Sequence, residues 1–418
     1  MKILIYSANF APEPTGIGKY SGEMAAWLAA QGHDVRVVAA PPYYPAWKIE
    51  KGYAWPPYRR EQWQGVDVWR TPLWVPRTPG GLKRVLHLLT FALTSLPVMF
   101  RQVFWRPDVV MTVAPFFFCA PAGWLAARLS GGRAWLHLQD FEVDVAFQMG
   151  LLKGKWLQKL VLGAERWILR RFDMVSSISG RMLDKLRQKG VIEERLCSLP
   201  NWVDTSHVYP LDEPSDYRDE LGIDPDTTVV LFSGTLGSKQ GLMVIPDAAR
   251  RMSYRNDVIF IVCGDGVMKP QLESASAGLA NVRFLPLQPF ERLGQLLGLA
   301  DMHLLPQSPG AADLVLPSKL TGMLASGRAV IATCNNDTEI ASVVSQCGIV
   351  VPPEDGATLA NMIERLADDN SARDVLGGKA RRYAEEYLAR DVVLGRLVDQ
   401  FHASYRKQGS IEFKDTGS

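Results

Sequence analysis

Residues 229–242 read VVLFSGTLGSKQGL, an apolar run broken by glycines and followed by a lysine. Val229 to Phe232 have the look of a strand buried on both faces, as in a parallel sheet. Ser233, Gly234 and Gly237 then turn the chain. Lys239 follows, and Gly241 lies just inside an apolar pattern of helical spacing. Strand, glycine turn, lysine and helix start together predict an anion site. Backbone N–H groups at a helix start have no partner within the helix, and the lysine adds a full charge. A diphosphate suits such a site, at about 1.5–3 kcal/mol per charge-assisted hydrogen bond. An ordinary βα turn has the same composition, so the neighbouring stretches decide.

Three of them point the same way. Residues 258–266 (VIFIVCGDG) are a second buried strand ending in Gly264, Asp265 and Gly266. Residues 281–287 (NVRFLPL) form a third strand pattern that ends in a proline turn. Residues 301–320 (DMHLLPQSPGAADLVLPSKL) are a fourth strand, a loop of small residues, and then Pro317, Ser318 and Lys319 opening a helix. In an open parallel sheet, ligands sit at the carboxyl ends of the strands, and all four signals fall there.

At 418 residues, 47% apolar and 22% charged, the chain has the composition of an ordinary globular protein of about two domains. The five cysteines (Cys119, Cys197, Cys263, Cys334, Cys347) are scattered, without a CxxC pair, which argues against a zinc site or a disulfide framework and fits a reducing compartment. No metal site is expected. The opening MKILIYSANF reads as a first strand rather than a signal peptide. No stretch reaches the eighteen or so uncharged apolar residues of a membrane span.

Charge is unevenly placed. Residues 1–200 hold 26 Lys/Arg against 15 Asp/Glu, and residues 201–418 hold 20 against 29. The basic half is expected to meet something anionic. Nucleic acid is not the candidate, because no recognition-helix, zinc-finger or RNA-binding aromatic signature is present. An anionic membrane surface is. Residues 82–106 have an apolar centre with Lys83, Arg84, Arg101 and Arg106 at the ends, and residues 153–171 carry six cations together with Trp156 and Trp167. Cations and tryptophan at the margin of an apolar face suit an interfacial helix, though helices covering a sheet share the pattern. Pro97 argues against one uninterrupted span through the first of these. The expected location is the cytoplasm, peripheral on the cytoplasmic face of the inner membrane.

Strand and helix patterns alternate throughout. Strands are predicted near 2–7, 35–40, 66–71, 108–113, 133–138, 173–178 and 195–199. The rhythm restarts near 228–233, 257–263, 281–285, 302–305, 328–333 and 347–351. The fold class is α/β: two facing, doubly wound, Rossmann-like domains with parallel sheets and a cleft between their strand ends. The first domain is expected over residues 1–202 and the second over 203–390, after a linker rich in Pro, Asp and Ser. A last helix within 391–418 is expected to cross back toward the first domain.

The first domain has its own glycine loop, NFAPEPTGIGKYSGE, with Gly16, Gly18 and Gly22. A nicotinamide-binding unit would place an acid at the end of the second strand, and that end reads VVAAPPYYP, so an oxidoreductase is discounted. The order of TGIGKYSGE, LHLQDFEVD, RFDMVSSISGRM, LPNWVD, FSGTLGSKQGL, VCGDG, LPSKL and SGRAVIAT resembles the family-4 retaining glycosyltransferases of the GT-B fold, and within them the bacterial colanic-acid and exopolysaccharide enzymes. The resemblance runs from Met1 to about residue 405. It implies transfer of a sugar from a nucleotide diphosphate sugar, a GDP- or UDP-sugar, to a carbohydrate acceptor, with retention and with no obligatory metal or other cofactor. A lipid-diphosphate-linked saccharide is the acceptor it implies, with GDP-fucose as one donor.

The resemblance also implies roles. Thr15, Gly16, Ile17 and Gly18 lie over the donor diphosphate. Ser233, Gly234 and Lys239 bind it, and Lys239 neutralises the departing charge. Gly264, Asp265 and Gly266, with Leu285 and Leu287, frame the nucleoside, while Ser318 and Lys319 hold a phosphate at a helix start. Asp140 falls where the family has a His-Asp pair near the acceptor. Glu142 is beside it as a second catalytic candidate, and His137 and Asp144 are on the acceptor side. The chain departs from its relatives in three places. Thr235 stands where many carry an arginine, and Leu314 and Gly322 stand where they carry two glutamates, with Asp313 the neighbouring substitute. Asp224-Pro-Asp226 mimics a metal-binding DxD and reads as a turn. The missing glutamates keep a catalytically weak partner subunit open as an alternative. A nucleotide-sugar epimerase is the other alternative, although its Tyr-x-x-x-Lys pair has no counterpart after a suitable strand in this chain.

Overall fold

Runs of Val, Ile and Leu that are buried on both faces set the frame, and the chain winds them into two sheets. A computed structural model of the chain describes residues 1–78, 80–114, 117–144, 155–310 and 316–415. It divides into two units, Met1–Pro200 with Leu394–Ser418, and Asn201–Val393.

The first unit is built on β1 (Lys2–Tyr6), β2 (Asp34–Ala39), β3 (Arg59–Trp63), β4 (Val66–Arg70), β5 (Val109–Ala114), β6 (Arg133–Leu138), β7 (Met174–Ser177) and β8 (Leu196–Ser198). Their order is β3-β4-β2-β1-β5-β6-β7-β8. All pairs are parallel except β3 with β4. Strand β3, RREQW, is absent from the sequence expectation. It is a largely exposed edge strand without an apolar run, held by Arg60 on Asp67 at 2.7 Å and Arg70 on Glu61 at 2.8 Å. The two-residue turn Gln64-Gly65, both at positive φ, closes the hairpin.

Helix α1 (Gly16–Ala30) joins β1 to β2. Helices α2 (Gly81–Val103), α3 (Ala120–Ser130) and α4 (Lys155–Leu169) join β4 to β5, β5 to β6 and β6 to β7. These three connections run across the sheet in one direction and α1 runs in the other, so right-handed crossovers put α2, α3 and α4 together on one face. Trp124 of α3 meets Trp167 of α4 at 6.3 Å between ring centroids. Helix α5 (Gly180–Gln188) links β7 toward β8.

The second unit carries β9 (Thr228–Ser233), β10 (Val258–Cys263), β11 (Val282–Leu285), β12 (Met302–Pro306), β13 (Ala329–Thr333) and β14 (Ile349–Val351), all parallel in the order β11-β10-β9-β12-β13-β14. This is the doubly wound order. It reverses direction between β9 and β12, and the first sheet reverses between β1 and β5. At each reversal the connecting segments leave toward opposite faces and open a crevice at the strands' carboxyl ends. Helices α6 (Val244–Arg251) and α7 (Ser318–Ala325) follow β9 and β12. Phe232 and Phe260, both fully buried, anchor the core beneath the crevice at about 1.5–3 kcal/mol each.

The last helix, α8 (Arg390–Asp415), begins in the second unit and belongs to the first from Leu394 onward. There Phe401 packs edge-on against Trp135 at 4.9 Å, and Arg133 donates to the Ser404 carbonyl at 2.7 Å.

Candidate functional site

The crevice of the second unit is made of backbone set on backbone. Gly234 follows β9 at φ +141, and its N–H donates to the Cys263 carbonyl at 2.9 Å. Gly264 follows β10 at φ +148, and a Cβ there would lie 1.9 Å from the Gly234 oxygen. A Cβ on Gly266 would lie 2.5 Å from the Leu236 oxygen. Leu236 N–H donates to Asp265 at 2.8 Å and Met268 N–H returns to Leu236 at 3.0 Å. The loops after β9 and β10 are therefore stitched together where no side chain fits. The loop after β12 joins them, since Ser308 N–H donates to the Lys239 carbonyl at 3.1 Å.

Lys319 enters this crevice from the first turn of α7. Its Nζ stands 4.3 Å from the centre of the Phe232 ring. A Cβ on Gly234 would lie 3.4 Å from its Cδ. The Nζ is enclosed and has no hydrogen-bond partner among the described residues. Burial pushes its pKa down to about 8. An enclosed cation without an acceptor is costly, and a bound anion removes that cost. One face of an aromatic ring and a glycine without a side chain leave the anion room to reach it.

The other expected contacts fall as follows. Ser233 ends β9 half-buried, and Ser318 opens α7 exposed. Lys239 sits on a 3-10 turn, Ser238–Gln240, and is exposed. The α-helix that the sequence predicts directly after it starts only at Val244, because Gly241 at φ +58 breaks the chain there. The Gly234 N–H is also committed, so this residue contributes space rather than a donor. Asp265 caps its own turn, Oδ1 accepting from Gly266 N–H at 2.9 Å. Leu285 ends β11, its carbonyl accepting from Gly264 N–H at 3.1 Å, and Leu287 is 73% exposed. Asp313, Leu314 and the loop around them lie outside the described residues. Asp226 N–H donates to Asp224 Oδ1 at 2.9 Å, which makes the DxD look-alike a local turn.

In the first unit, Thr15 precedes α1, Gly16 sits at φ +60, and Ile17 and Gly18 form the first turn. Gly18 faces Glu13: a Cβ there would be 2.5 Å from Glu13 Oε2. Glu13 was not singled out by sequence reasoning; its only signal is a carboxylate in the Ala-Pro-Glu-Pro run before the glycines. It is buried, and accepts from Asn9 Nδ2 at 2.9 Å and from the N–H groups of Tyr43 and Tyr44 at 3.1 and 3.0 Å. Burial raises its pKa, and these three donors pull against that. His87 presents Nδ1 to the Trp74 carbonyl at 2.6 Å, so Nδ1 carries the proton and Nε2 accepts from Tyr43 OH at 3.2 Å. Burial lowers its pKa and keeps the ring neutral. Tyr43, Trp47 and His87 pack ring to ring, and Tyr44 is exposed beside Gly16. Gly18→Ala is expected to destabilise the protein by about 1–3 kcal/mol, seen as a lower urea midpoint, because the methyl has to displace a bonded carboxylate.

The stretch after β6 divides the expected acceptor residues. Asp140 is half-buried and its Oδ1 accepts from Phe141 N–H at 2.8 Å. Asp140 and Glu142 line one small cavity with Ala120, Leu138, Phe141 and Glu165. Burial raises the pKa of Tyr43 and of Cys119, and the nearby charge of Glu142 adds to both shifts. His137 and Asp144 each have partners within the protein. His137 is 3% exposed within β6, bonded to Ser176 Oγ at 3.0 Å, and burial drives its pKa to about 3. Asp144 is taken up by Lys185 at 2.9 Å and Lys189 at 3.2 Å. Among the described residues no cluster of His, Cys, Asp and Glu is arranged to hold a metal.

Comparison with known proteins identifies the family. Residues 15–202 match the model of a glycosyl transferase 4-like domain, and residues 227–369 match that of glycosyl transferases group 1. WcaI of Escherichia coli (strain K12), named as a colanic acid biosynthesis glycosyl transferase, is 41% identical over 96% of this chain and 99% of its own length. Among solved structures, sucrose-phosphate synthase from Thermosynechococcus elongatus superposes with a TM-score of 0.71 at 18% identity, covering 97% of this chain and all of that one. Anabaena Alr3699/HepE, solved with UDP-glucose, gives 0.65 at 15% identity, covering 96% of this chain and 100% of its own. At those identities the structures speak for the fold alone.

Proposed function

The chain belongs to the group 1, type-4 glycosyltransferases of the GT-B fold, and on that premise we propose that it transfers a sugar from a GDP- or UDP-sugar to a lipid-diphosphate-linked saccharide during exopolysaccharide assembly. It is a nucleotide-sugar glycosyltransferase. The choice of base, the acceptor and the retained configuration are the proposal. One observation carries the placement of the donor: the Lys319 ammonium, enclosed and without a partner among the described residues, at the sheet's reversal point beside Gly234.

The diphosphate accepts from Lys319 there, with the exposed Lys239 and Ser318 around it. As the glycosidic bond to the diphosphate breaks, negative charge accumulates on the leaving phosphate, and both lysines stabilise it more in the transition state than before it. With retention, the acceptor hydroxyl attacks from the leaving group's side and gives its proton to a donor phosphate oxygen. The protein then supplies position and charge rather than a strong base. Asp140 and Glu142 orient the acceptor hydroxyls, and the Glu13-ordered loop carrying Tyr44 flanks them. The name of the Escherichia coli relative, and its match over nearly the whole of both chains, favour an exopolysaccharide product.

A screen of nucleotide sugars by thermal shift, followed by donor hydrolysis and transfer, tests this reading. A donor bound by the folded state raises the melting temperature. Lys239→Ala is expected to lower turnover about tenfold or more, through the lost leaving-group contact, and Asp226→Ala to leave it within about twofold. Equal effects of the two would remove Lys239 from the donor site. Chelator is expected to leave turnover unchanged, and complete loss would require a metal in the mechanism.

A further inference from the structure

We infer that the outer face of α2, α3 and α4 docks on an anionic lipid bilayer, with α2 lying in the plane of the surface. Helix α2 is one uninterrupted helix through Pro97, about 33 Å long at 1.5 Å per residue. By length and composition alone it is apolar enough to cross a membrane, its uncharged stretch running from Val85 to Phe100. Its outward side is apolar along that length. Leu82, Leu86, Leu93, Leu96 and Phe100 recur at helical spacing, and Leu82 and Phe100 are 72% and 61% exposed. Water-facing leucine and phenylalanine in one continuous stripe is an arrangement a soluble monomer avoids.

The stripe continues sideways. Leu125 and Leu129 of α3 are exposed, as are Trp156, Leu160 and Trp167 of α4, and crossover handedness puts all three helices on the same face of the sheet. Exposed cations border the apolar residues: Lys83 and Arg101 on α2, Lys159 and Arg166 on α4. The only carboxylate on the three helices is Glu165, which is buried and bonded to Lys189 at 2.5 Å. That one-sided charge decides the occupant. A second copy of the chain would set cation against cation across the contact, whereas anionic headgroups neutralise the rim while acyl chains take the apolar stripe.

The inward side of α2 decides between lying on the membrane and crossing it. Ser95 Oγ is hydrogen-bonded to Tyr6 OH at 2.5 Å, Gln102 Oε1 accepts from Arg36 at 3.1 Å, and His87 is tied to Trp74 and Tyr43. A crossing helix would have to abandon these bonds and bury the same polar groups in hydrocarbon.

The test is flotation of the full chain with vesicles of phosphatidylcholine alone, and of phosphatidylcholine mixed with phosphatidylglycerol. It needs no sugar donor, so it stands or falls separately from the transferase reading. The chain is expected to float with the anionic vesicles at low salt, and to float less at high salt or with phosphatidylcholine alone. Leu93→Glu with Phe100→Glu, and separately Lys83→Gln with Arg101→Gln, are each expected to lower the bound-to-free ratio about tenfold or more. Val375→Glu, on the second unit, should not lower it. Melting curves check that the variants fold, and the cation pair carries the test if the glutamate pair does not. Failure of the wild type to float at low salt would overturn the inference. So would flotation indifferent to the cation pair, or a dimer that Leu93→Glu with Phe100→Glu dissolves while no vesicle binds.

Discussion

Lys319→Met is expected to lower sugar transfer about a hundredfold or more and, at the same time, to raise the melting temperature of the unliganded protein. The two effects have one cause. The ammonium is enclosed against Phe232 with no acceptor among the described residues, so the unliganded fold bears its desolvation. Methionine fills a similar volume without charge and relieves that penalty, while removing the cation that a departing diphosphate requires. A lysine serving structure alone would move both quantities downward. The pH dependence follows from the same depressed pKa of about 8. Folding costs the lysine its full penalty below about pH 8, where it must be held charged, and the penalty fades as pH rises toward the unfolded value near 10.4. Stability of the unliganded protein therefore rises across that window. Nucleotide affinity runs the opposite way, since the binding form is the protonated one, and declines as pH rises above about 8. Scanning fluorimetry with and without GDP or UDP, across pH 7–10 for wild type and Lys319→Met, reads all of these; in the variant both slopes should flatten (roughly one proton's worth).

Gly264→Ala is the second large effect. At φ +148 an L-residue is strained by about 1–3 kcal/mol before any contact is considered, and its Cβ would stand 1.9 Å from the Gly234 oxygen. The methyl can enter only if the loop after β9 moves, and that loop carries the opening through which Lys319 is reached. A loss of at least about 3 kcal/mol in the second unit is expected, lowering its melting transition by about 6–12 °C, together with loss of the nucleotide-induced thermal shift. Gly237→Ala is the matched control. Gly237 has φ −101 and nothing within 4 Å of a built Cβ, so alanine there should leave stability nearly unchanged. If the two substitutions behaved alike, the stitched loops would not be what holds the crevice open.

Strands β9 and β10 of the second sheet were legible because each is a short apolar run that ends at a glycine, and burial on both faces leaves few other residue types possible. Strand β3 was not, because RREQW lies at a sheet edge and is held by ion pairs instead of burial. The glycine turn after β9 was visible, yet the helix placed directly behind it is a 3-10 turn, since a glycine inside an apolar pattern does not announce that it will adopt φ +58. The ranking of the two lysines shows the same limit. Lys239 stands next to the glycines in sequence, but enclosure singles out Lys319, which meets Phe232 and Gly234 only through the parallel arrangement of β9 and β12. In LQDFEVD the carboxylates look equivalent. Folding separates them, because Asp144 finds Lys185 and Lys189 on and after α5 while Asp140 and Glu142 line a cavity. Glu13 was overlooked because its partners, the N–H groups of Tyr43 and Tyr44, belong to a loop after a different strand.

A crystal of the full chain soaked with GDP or UDP addresses the central claim most directly. The diphosphate is expected against Lys319 Nζ, at the carboxyl ends of β9 and β12, with the chain around Gly234 and Gly264 unmoved. A nucleotide bound elsewhere on the molecule, with the Lys319 ammonium still lacking an anion, would contradict the account.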